Sequence, residues 1–471
     1  MQAEHERRVA ELAGQVKAFY GRREPFKVYH GSTNSTRVLE FDRNRMVDVS
    51  EFNHVLAVDP ERKTALVEAN VPMDRLVRAT LRHGLVPPVV MEFPGITVAG
   101  GLQGGAGESS SFRWGGFNET LNWFEMVLGN GEVVRASRRE RPDLFYGAAG
   151  AYGSLGVVTA AEVRLVAAYE FVELQYLPVK SFEEAVEVLA EQVAKKPDFV
   201  DGILFSREQG VIVAGYLTNT TSGPVVRFSR PWDEWFYLHV KRRMGKMRSQ
   251  REAVPLVDYL FRYDRGGFWM GEYAFRRFEK PYNRFTRWLL NPLMHTRKMY
   301  QALQASGVSQ EFIIQDLALP PERAVEFLEW VDQRFEIYPL WLCPLKIEGH
   351  GGAGQLLSRP LADGQAVNVG VWGFYGHDLD KVVEANRELE AKLTELGGRK
   401  WLYAYAYYTE QEFWELYDRD WYNVLRKKYH AGTLPTVYDK VARTKRQPVA
   451  ARRGVFTALW RRGGIRMRDS D

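Results

Sequence analysis

Hydrophobic and polar positions change their period several times along this chain, and each change predicts an element. Residues 46–49, 55–58 and 65–69 are short runs rich in β-formers, so three strands are expected there. Residues 72–83 switch to helical spacing, with Met73, Leu76, Val77 and Leu81 on one face, Pro72 at the start and Gly84 just past the end. Residues 124–128 and 133–135 flank Gly129-Asn130-Gly131, the punctuation of a hairpin, and 157–166 read as a further strand. A helix is predicted over 181–193, with Ser181 as N-cap and Glu184 three residues on. From 227 to 300 aromatic and basic residues interleave (Trp232, Trp235, Phe236, Lys241, Arg242, Arg243, Arg276, Arg277, Trp288, Arg297), and strand and helix patterns return over 312–396. The pattern as a whole predicts an α+β protein.

Composition narrows the class. Apolar residues make up 45% of 471 and charged residues 26%, values of a folded chain long enough for two lobes. A single cysteine, Cys343, excludes an internal disulfide and a cysteine-built metal site, and reads as a small buried hydrophobe in a reducing compartment. No stretch approaches the roughly 18 apolar residues of a spanning helix, and residues 1–20 form a charged amphipathic segment, so a cytoplasmic protein is expected. The net charge of +5 is concentrated at the end, where residues 441–471 carry nine Lys/Arg against two Asp.

The chemically informative segment is 94–111, with six glycines among eighteen residues. A diphosphate needs several backbone N–H groups close by, and glycine permits both the approach and positive φ. No G-x-G-x-x-G opens a helix here, so a dinucleotide cradle outside the Rossmann class is indicated. A second loop of small polar side chains, Gly31-Ser32-Thr33-Asn34-Ser35, precedes it by some sixty residues. Alone it would be an ordinary turn; paired with the glycine-rich segment it gains meaning.

Several motifs occur in a fixed order: the first loop, residues 67–73, the glycine-rich segment with Glu108-Ser109-Ser110-Ser111, Asp143-Leu144-Phe145-Tyr146, and residues 153–164. This order resembles the FAD domain of the vanillyl-alcohol-oxidase superfamily, with its PCMH-type fold. Glu108 to Ser111, residues 338–344, residues 412–417 and Tyr438-Asp439-Lys440-Val441 further resemble the sterol Δ24-reductase family. The resemblance implies a helical segment (1–26), an FAD-binding domain (27–168), a substrate or cap domain (169–400) with the basic-aromatic region 227–300 facing a membrane, a segment returning to the flavin (401–443) and a basic tail (444–471).

By the same resemblance, Gly31, Ser32, Thr33, Asn34 and Ser35 would hold FAD together with Pro94, Gly95, Thr97, Gly100, Gly101, Gly104, Gly105, Gly107, Glu108 and Ser109. Gly153, Gly156, Val157 and Val158 would line the ribityl and adenine side. Covalent members of the superfamily link the ring to His or Cys; here that position falls on Thr33, with His30 nearby, so noncovalent FAD is expected, reduced by NADPH or NADH. The implied reaction is reduction of an isolated C=C bond of a lipid, either a sterol side-chain Δ24 bond or a 10-methylene acyl chain.

Such an alkene accepts hydride only if its other carbon is protonated, which is feasible where positive charge falls on a tertiary carbon. Glu108 is the first candidate donor, and could equally be a carboxylate that holds loop amides or FAD hydroxyls. Tyr403 and Tyr407 match family positions, as do Arg262 and Arg265, which could hold a nicotinamide phosphate, an anionic lipid head or surface acids. No residue set suggests a metal. An alcohol or sugar oxidase on the same FAD domain is the rival enzyme. Region 227–300 could also bind nucleic acid. Peripheral contact with an anionic membrane, through residues 241–251 with Trp232 and Trp235 and through the tail, suits a lipid substrate better. The oligomeric state is not legible in the sequence.

Overall fold

The computed structural model describes residues 1–31, 34–244, 251–347, 364–443, 448–460 and 465–468. The first body is a five-stranded antiparallel sheet in the order Val55–Asp59, Thr64–Glu68, Val157–Arg164, Leu121–Val127, Val133–Ser137. The hairpin closes where the glycine pair demands it: Gly131 takes φ +86°, and Leu128 N–H donates to the Glu132 carbonyl at 2.8 Å. Helix Met73–Leu81 buries Met73, Leu76 and Val77, three of the four residues on its predicted apolar face. Helix Gln2–Arg22 covers the body from outside, burying Val9, Leu12, Val16 and Phe19 against Val47, Phe52 and Val127.

The second body is an eight-stranded antiparallel sheet in the order Arg251–Pro255, Phe171–Val179, Gln209–Thr218, Phe199–Ser206, Leu340–Lys346, Gln365–Phe374, Phe312–Leu319, Arg399–Lys400. Helices Phe182–Lys195, Ala324–Phe335 and Leu379–Glu395 back one face over a core of Leu189, Phe327, Leu389 and Val369. Ser181 caps the first of these, accepting from Glu184 N–H at 3.1 Å, while the Glu184 carboxylate reaches the Lys180 rather than the Ser181 N–H. The other face joins the first body through one apolar cluster that runs from Val67 and Phe124 to Trp235, Trp269 and Trp372.

This cluster corrects the reading of region 227–300 in part: Trp232 and Trp288 are exposed, but Trp235 and Phe236 are not. Trp235 is fully buried, its ring touching the backbone at Gly266 and Gly271, so it is a core residue and no membrane anchor. Burial of such aromatic area outweighs exposure of the cations, which pair instead: Arg242 with Glu234, Arg243 with Glu252, Arg251 with Glu173 at 3.1 Å, Arg276 with Glu272 at 2.6 Å and Arg277 with Glu311. The rest of the basic run, 245–250, lies outside the described residues.

The chain then returns to the first body. Helices Glu410–Leu416, Arg419–Lys428 and Val437–Val441 dock there through Tyr422 Oη on Ser154 Oγ at 2.7 Å and Lys428 Nζ on Asp143 at 2.6 Å. In the tail, helix Ala451–Trp460 packs on helix Thr296–Ser306, with Gly454 against the Ala302 carbonyl.

Candidate functional site

One continuous cavity of about 1540 Å³ runs between the two bodies. This exceeds the ~1,000 Å³ upper range of single small-ligand pockets, so there is room for a dinucleotide and a second ligand.

At the polar end the glycine-rich segment does something the sequence did not suggest. Most of it is a short helix, Val98–Gly104, capped by Thr97 Oγ1 on Gly100 N–H at 3.2 Å and ended by Gly105 at φ +58°. Its first amides are already used, Val98 N–H on the Val71 carbonyl and Ala99 N–H on the Ala69 carbonyl. The glycines therefore serve mainly to let backbone and cavity come close. A β-carbon on Gly104 would meet nothing nearer than Tyr152 at 3.9 Å, so that face is open to a ligand. One on Gly101 would lie 2.5 Å from Met91 Cε and 2.8 Å from Phe117 Cδ1, so that face is packing.

Of the expected cofactor residues, Asn34, Ser35, Thr97, Gly100, Gly104, Gly107, Gly153, Gly156, Val157 and Val158 line the cavity. Gly31, Pro94, Gly95, Gly101, Gly105, Glu108 and Ser109 stand behind them and do not line it; Pro94, for example, accepts Arg297 at 3.0 Å. Ser32 and Thr33 lie outside the described residues. The lining fits a nucleotide: His30 Nδ1, Asn34 Oδ1 and Asn70 Oδ1 are buried polar atoms without partners, and Gly153, at φ +74°, brings the backbone to the cavity beside Gln103 and Lys440.

The proposed catalytic residues separate just as clearly. Glu108 is buried beneath the loop, where it accepts from Ser109 Oγ at 2.7 Å, from Ser110 N–H at 3.0 Å and from Ser110 Oγ. Burial pushes its carboxyl up, against those hydrogen bonds. It holds the loop and does not reach the cavity. Arg262 is a buried strut, with Nη2 on Asp201 at 2.8 Å and on Ser109 Oγ at 3.2 Å. Arg265 gives four hydrogen bonds, to Asn291 and to the carbonyls of Phe228, Pro231 and Asp233, which folds the 228–233 loop; it is buried there and does not line the cavity. Tyr407 faces Arg443 Nη1 at 3.4 Å, away from the cavity. Tyr403 alone of the five lines it.

The apolar end is built on the second sheet by period-two alternation. Phe312 and Ile314 of one strand, Trp341, Cys343 and Leu345 of the next, and Trp372 of the third all face the cavity, closed over by Phe268, Met270, Tyr273, Met294, Met299 and Tyr300. Among the residues of that sheet face that line the cavity one acid stands, Asp316; Asp201, buried on the same face, is held by Arg262, Tyr263 and Trp341 and does not line it. Its Oδ1 accepts from Asn368 Nδ2 at 2.8 Å. Burial pushes its carboxyl up to about 6, despite hydrogen bonds from Asn368 and Tyr403; Tyr403 is raised in turn, by burial and by Asp316. Trp401 ties this spot to the glycine helix, its ring N–H on the Gly105 carbonyl at 2.8 Å and its backbone N–H on the Asp316 carbonyl at 3.0 Å. Asp316 was missed in the sequence, although an acid at an inward position in Ile313-Ile314-Gln315-Asp316-Leu317 is a readable anomaly. Glu92 also lines the cavity; burial and the Glu108 charge hold it well above the usual carboxylate range. Among the described residues no cluster of His, Cys, Asp or Glu could hold a metal.

A fold of two bodies around such a cavity, with a glycine helix at one end, defines a flavin-nucleotide enzyme, and a model of an FAD binding domain matches residues 6–137. The chain is 32% identical over 431 residues to the Delta(24)-sterol reductase of Arabidopsis thaliana, an alignment covering 84% of this chain and 76% of the relative. It is 31% identical over 433 residues to that of Pisum sativum, covering 84% and 76%, and 28% identical over 454 residues to that of Homo sapiens, covering 94% and 87%. The chain belongs to the Delta(24)-sterol reductase family.

Proposed function

We infer that this protein is an FAD-dependent oxidoreductase that saturates an isolated C=C bond of a lipid with electrons from NADPH or NADH. The observation that carries the reading is Asp316, the one acid by which the apolar sheet face lines the cavity, set beside Tyr403 and tied through Trp401 to the glycine helix. FAD held in this cavity would supply the hydride it receives from the nicotinamide; the protein must supply the proton. A carboxyl with its proton held to about pH 6 in a dry apolar chamber is suited to protonate an alkene carbon, and the chamber excludes water from the tertiary cationic carbon this leaves. Tyr403 supports the carboxyl, because a phenol raised further by burial is too weak an acid to replace it. Glu108 and Tyr407, the other sequence candidates, give way to Asp316 because they do not reach the chamber.

An alcohol or sugar oxidase would need polar groups where this cavity presents Phe268, Trp341, Trp372 and three methionines. The test is anaerobic: the yellow protein is bleached by a nicotinamide, then challenged with a Δ24 sterol or a 10-methylene acyl lipid. Return of the flavin colour with formation of the saturated product is expected. Bleaching by an alcohol, with no response to either alkene, would overturn the reading.

The same proposal places the enzyme at the cytoplasmic surface of a membrane, where a lipid substrate is found. No helix of the described residues is long and apolar enough to cross one. The contact is assigned to the cavity mouth. Leu290 and Leu293 of one rim and Val455 and Ala458 of the other line the cavity, and their neighbours Phe285, Trp288 and Leu289, and Phe456, Leu459 and Trp460, are exposed.

A further inference from the structure

At the polar end of the cavity Arg37 and Lys440, with Arg426 behind them, have no carboxylate partner among the described residues. Arg37 is buried, its Nε on the Tyr403 carbonyl at 3.2 Å and its Nη1 on the Lys440 carbonyl. Arg426 gives its Nη groups to the carbonyls of Ser154, Ala431, Leu434 and Pro435. Lys440 lines the cavity, with Nζ 3.3 Å from the position a β-carbon on Gly153 would take. The acids nearby are engaged elsewhere, Asp439 with Thr436 at the start of its own helix and Glu40 with Arg468. Buried charge of one sign is costly, and a fold retains it where a ligand of the other sign completes the site.

We propose that Arg37 and Lys440 form the diphosphate seat of the cavity, and that the Lys440 amine takes up a proton as the diphosphate of FAD binds. The proposal rests on the flavoprotein reading and adds to it a pair of cationic side chains, one of them from the returning segment, where the sequence suggested backbone amides and the small polar side chains of the first loop. Lys440 is the charged group best placed to change state: burial, then Arg37, Lys27 and Arg426, hold its amine down to about 7. His30, which also faces it, is pushed down to about 4 by burial and by Lys440 itself, and stays neutral. A diphosphate reverses the sign of the local field, so the amine must gain charge on binding. Affinity therefore falls as pH rises above 7.

The test uses the full chain freed of flavin, with FAD binding followed by fluorescence quenching at pH 6.5 and pH 8.5. Wild type is expected to bind more weakly at the higher pH. Calorimetry in buffers of different ionisation heat is expected to show net proton uptake there. K440M should lose on the order of tenfold or more in FAD affinity, the worth of a charge-assisted contact, and leave riboflavin binding unchanged. K440R, whose charge is fixed, should bind FAD at pH 6.5 within a few fold of wild type and lose the pH dependence. Undiminished FAD binding by K440M would overturn the seat alone. So would loss of NADPH binding to FAD-loaded K440M with FAD affinity intact, which would give the lysine to the nicotinamide. Failure of wild type to bind FAD at all would overturn the flavoprotein reading with it.

Discussion

Side chains of the same type have different fates here because their surroundings differ. Asp316, Glu92 and Glu108 are three buried carboxyls, but only Asp316 combines access to the apolar chamber with a proton released near neutral pH. Its folded pKa is raised above the ordinary aspartate value, so the protonated form is present below about 6 and lost as pH rises through it. Saturation of the alkene in a single turnover of pre-reduced enzyme should therefore decline roughly tenfold per pH unit above 6. Asp316→Asn should keep FAD, still bleach with the nicotinamide, and lose at least ~10²-fold in alkene saturation. Glu108→Gln, Glu92→Gln and Tyr407→Phe should stay within a few fold; loss of saturation in Glu108→Gln with flavin reduction intact would return the role to the loop. The glycines divide in the same way. Gly104→Val should leave a folded protein with weakened FAD binding, because its side chain enters open cavity. Gly101→Val should lower thermal stability by about 1–3 kcal/mol, because its side chain collides with Met91 and Phe117. Equal effects in both assays would remove the distinction.

At the scale of elements, helix Gln2–Arg22 is held by a buried polar cluster as well as by its apolar stripe. His5 bridges Glu68 at 2.9 Å and Glu125 at 3.1 Å; Arg8 reaches Glu68 at 2.7 Å, and His54 takes its other oxygen at 2.9 Å. Burial alone would lower His5, but hydrogen bonds to Glu125 and Glu68 raise it to about 9; Glu68 is held at about 2 by His5, His54 and Arg8 against burial. The raised histidine contributes stability that is complete below about 6.5 and lost as pH rises through 9. The depressed glutamate contributes stability that is complete above about 4.5 and lost as pH falls through 2. Both contributions are whole between about pH 4.5 and 6.5. Glu68→Gln should cost on the order of 3 kcal/mol in that window, by stranding His5 and Arg8, and less above pH 9. A urea-unfolding difference flat from pH 5 to pH 10 would show that the helix is held by its apolar stripe. Elements set by local rules were legible in the sequence: the Gly129-Asn130-Gly131 hairpin, the Ser181 cap and the helix at 73–81. The order of the eight-stranded sheet was not, since it pairs residues 340–346 with 202–204 and 365–371, contacts no local pattern encodes. For the same reason Asp316 and Lys440 were not recognised, because each acquires its role from chain brought in over hundreds of residues, while the helix in the glycine segment was hidden by the low helix propensity of its glycines.

On the scale of the whole molecule, the cavity has a polar end closed by Arg37 and Lys440 and an apolar end whose rim is two helices with unburied aromatic faces. Helix Arg284–Leu289 exposes Phe285 and Trp288, and Ala451–Trp460 exposes Phe456, Leu459 and Trp460, the last at 76%. Arg284, Arg452 and Arg453 are exposed on the same two helices. A lipid drawn from a bilayer can enter through this rim without crossing water, provided the rings sit among headgroups and the cations meet anionic lipid, each contributing on the order of 1 kcal/mol. The basic run 241–251 contributes less to this contact where it is described, because Arg242, Arg243 and Arg251 are paired with acids. Sedimentation with anionic vesicles should thus be strong at low ionic strength and weakened in 1 M salt, where the screening length falls to about 3 Å. Trp288→Asp and Trp460→Asp should each reduce it several-fold. They should leave flavin content and bleaching by the nicotinamide unchanged, because neither ring lines the cavity, and slow the turnover of vesicle-borne substrate while sparing a detergent-dispersed one. Equal sedimentation of wild type and both variants, on neutral and anionic vesicles alike, would mean that the substrate reaches the chamber by another route.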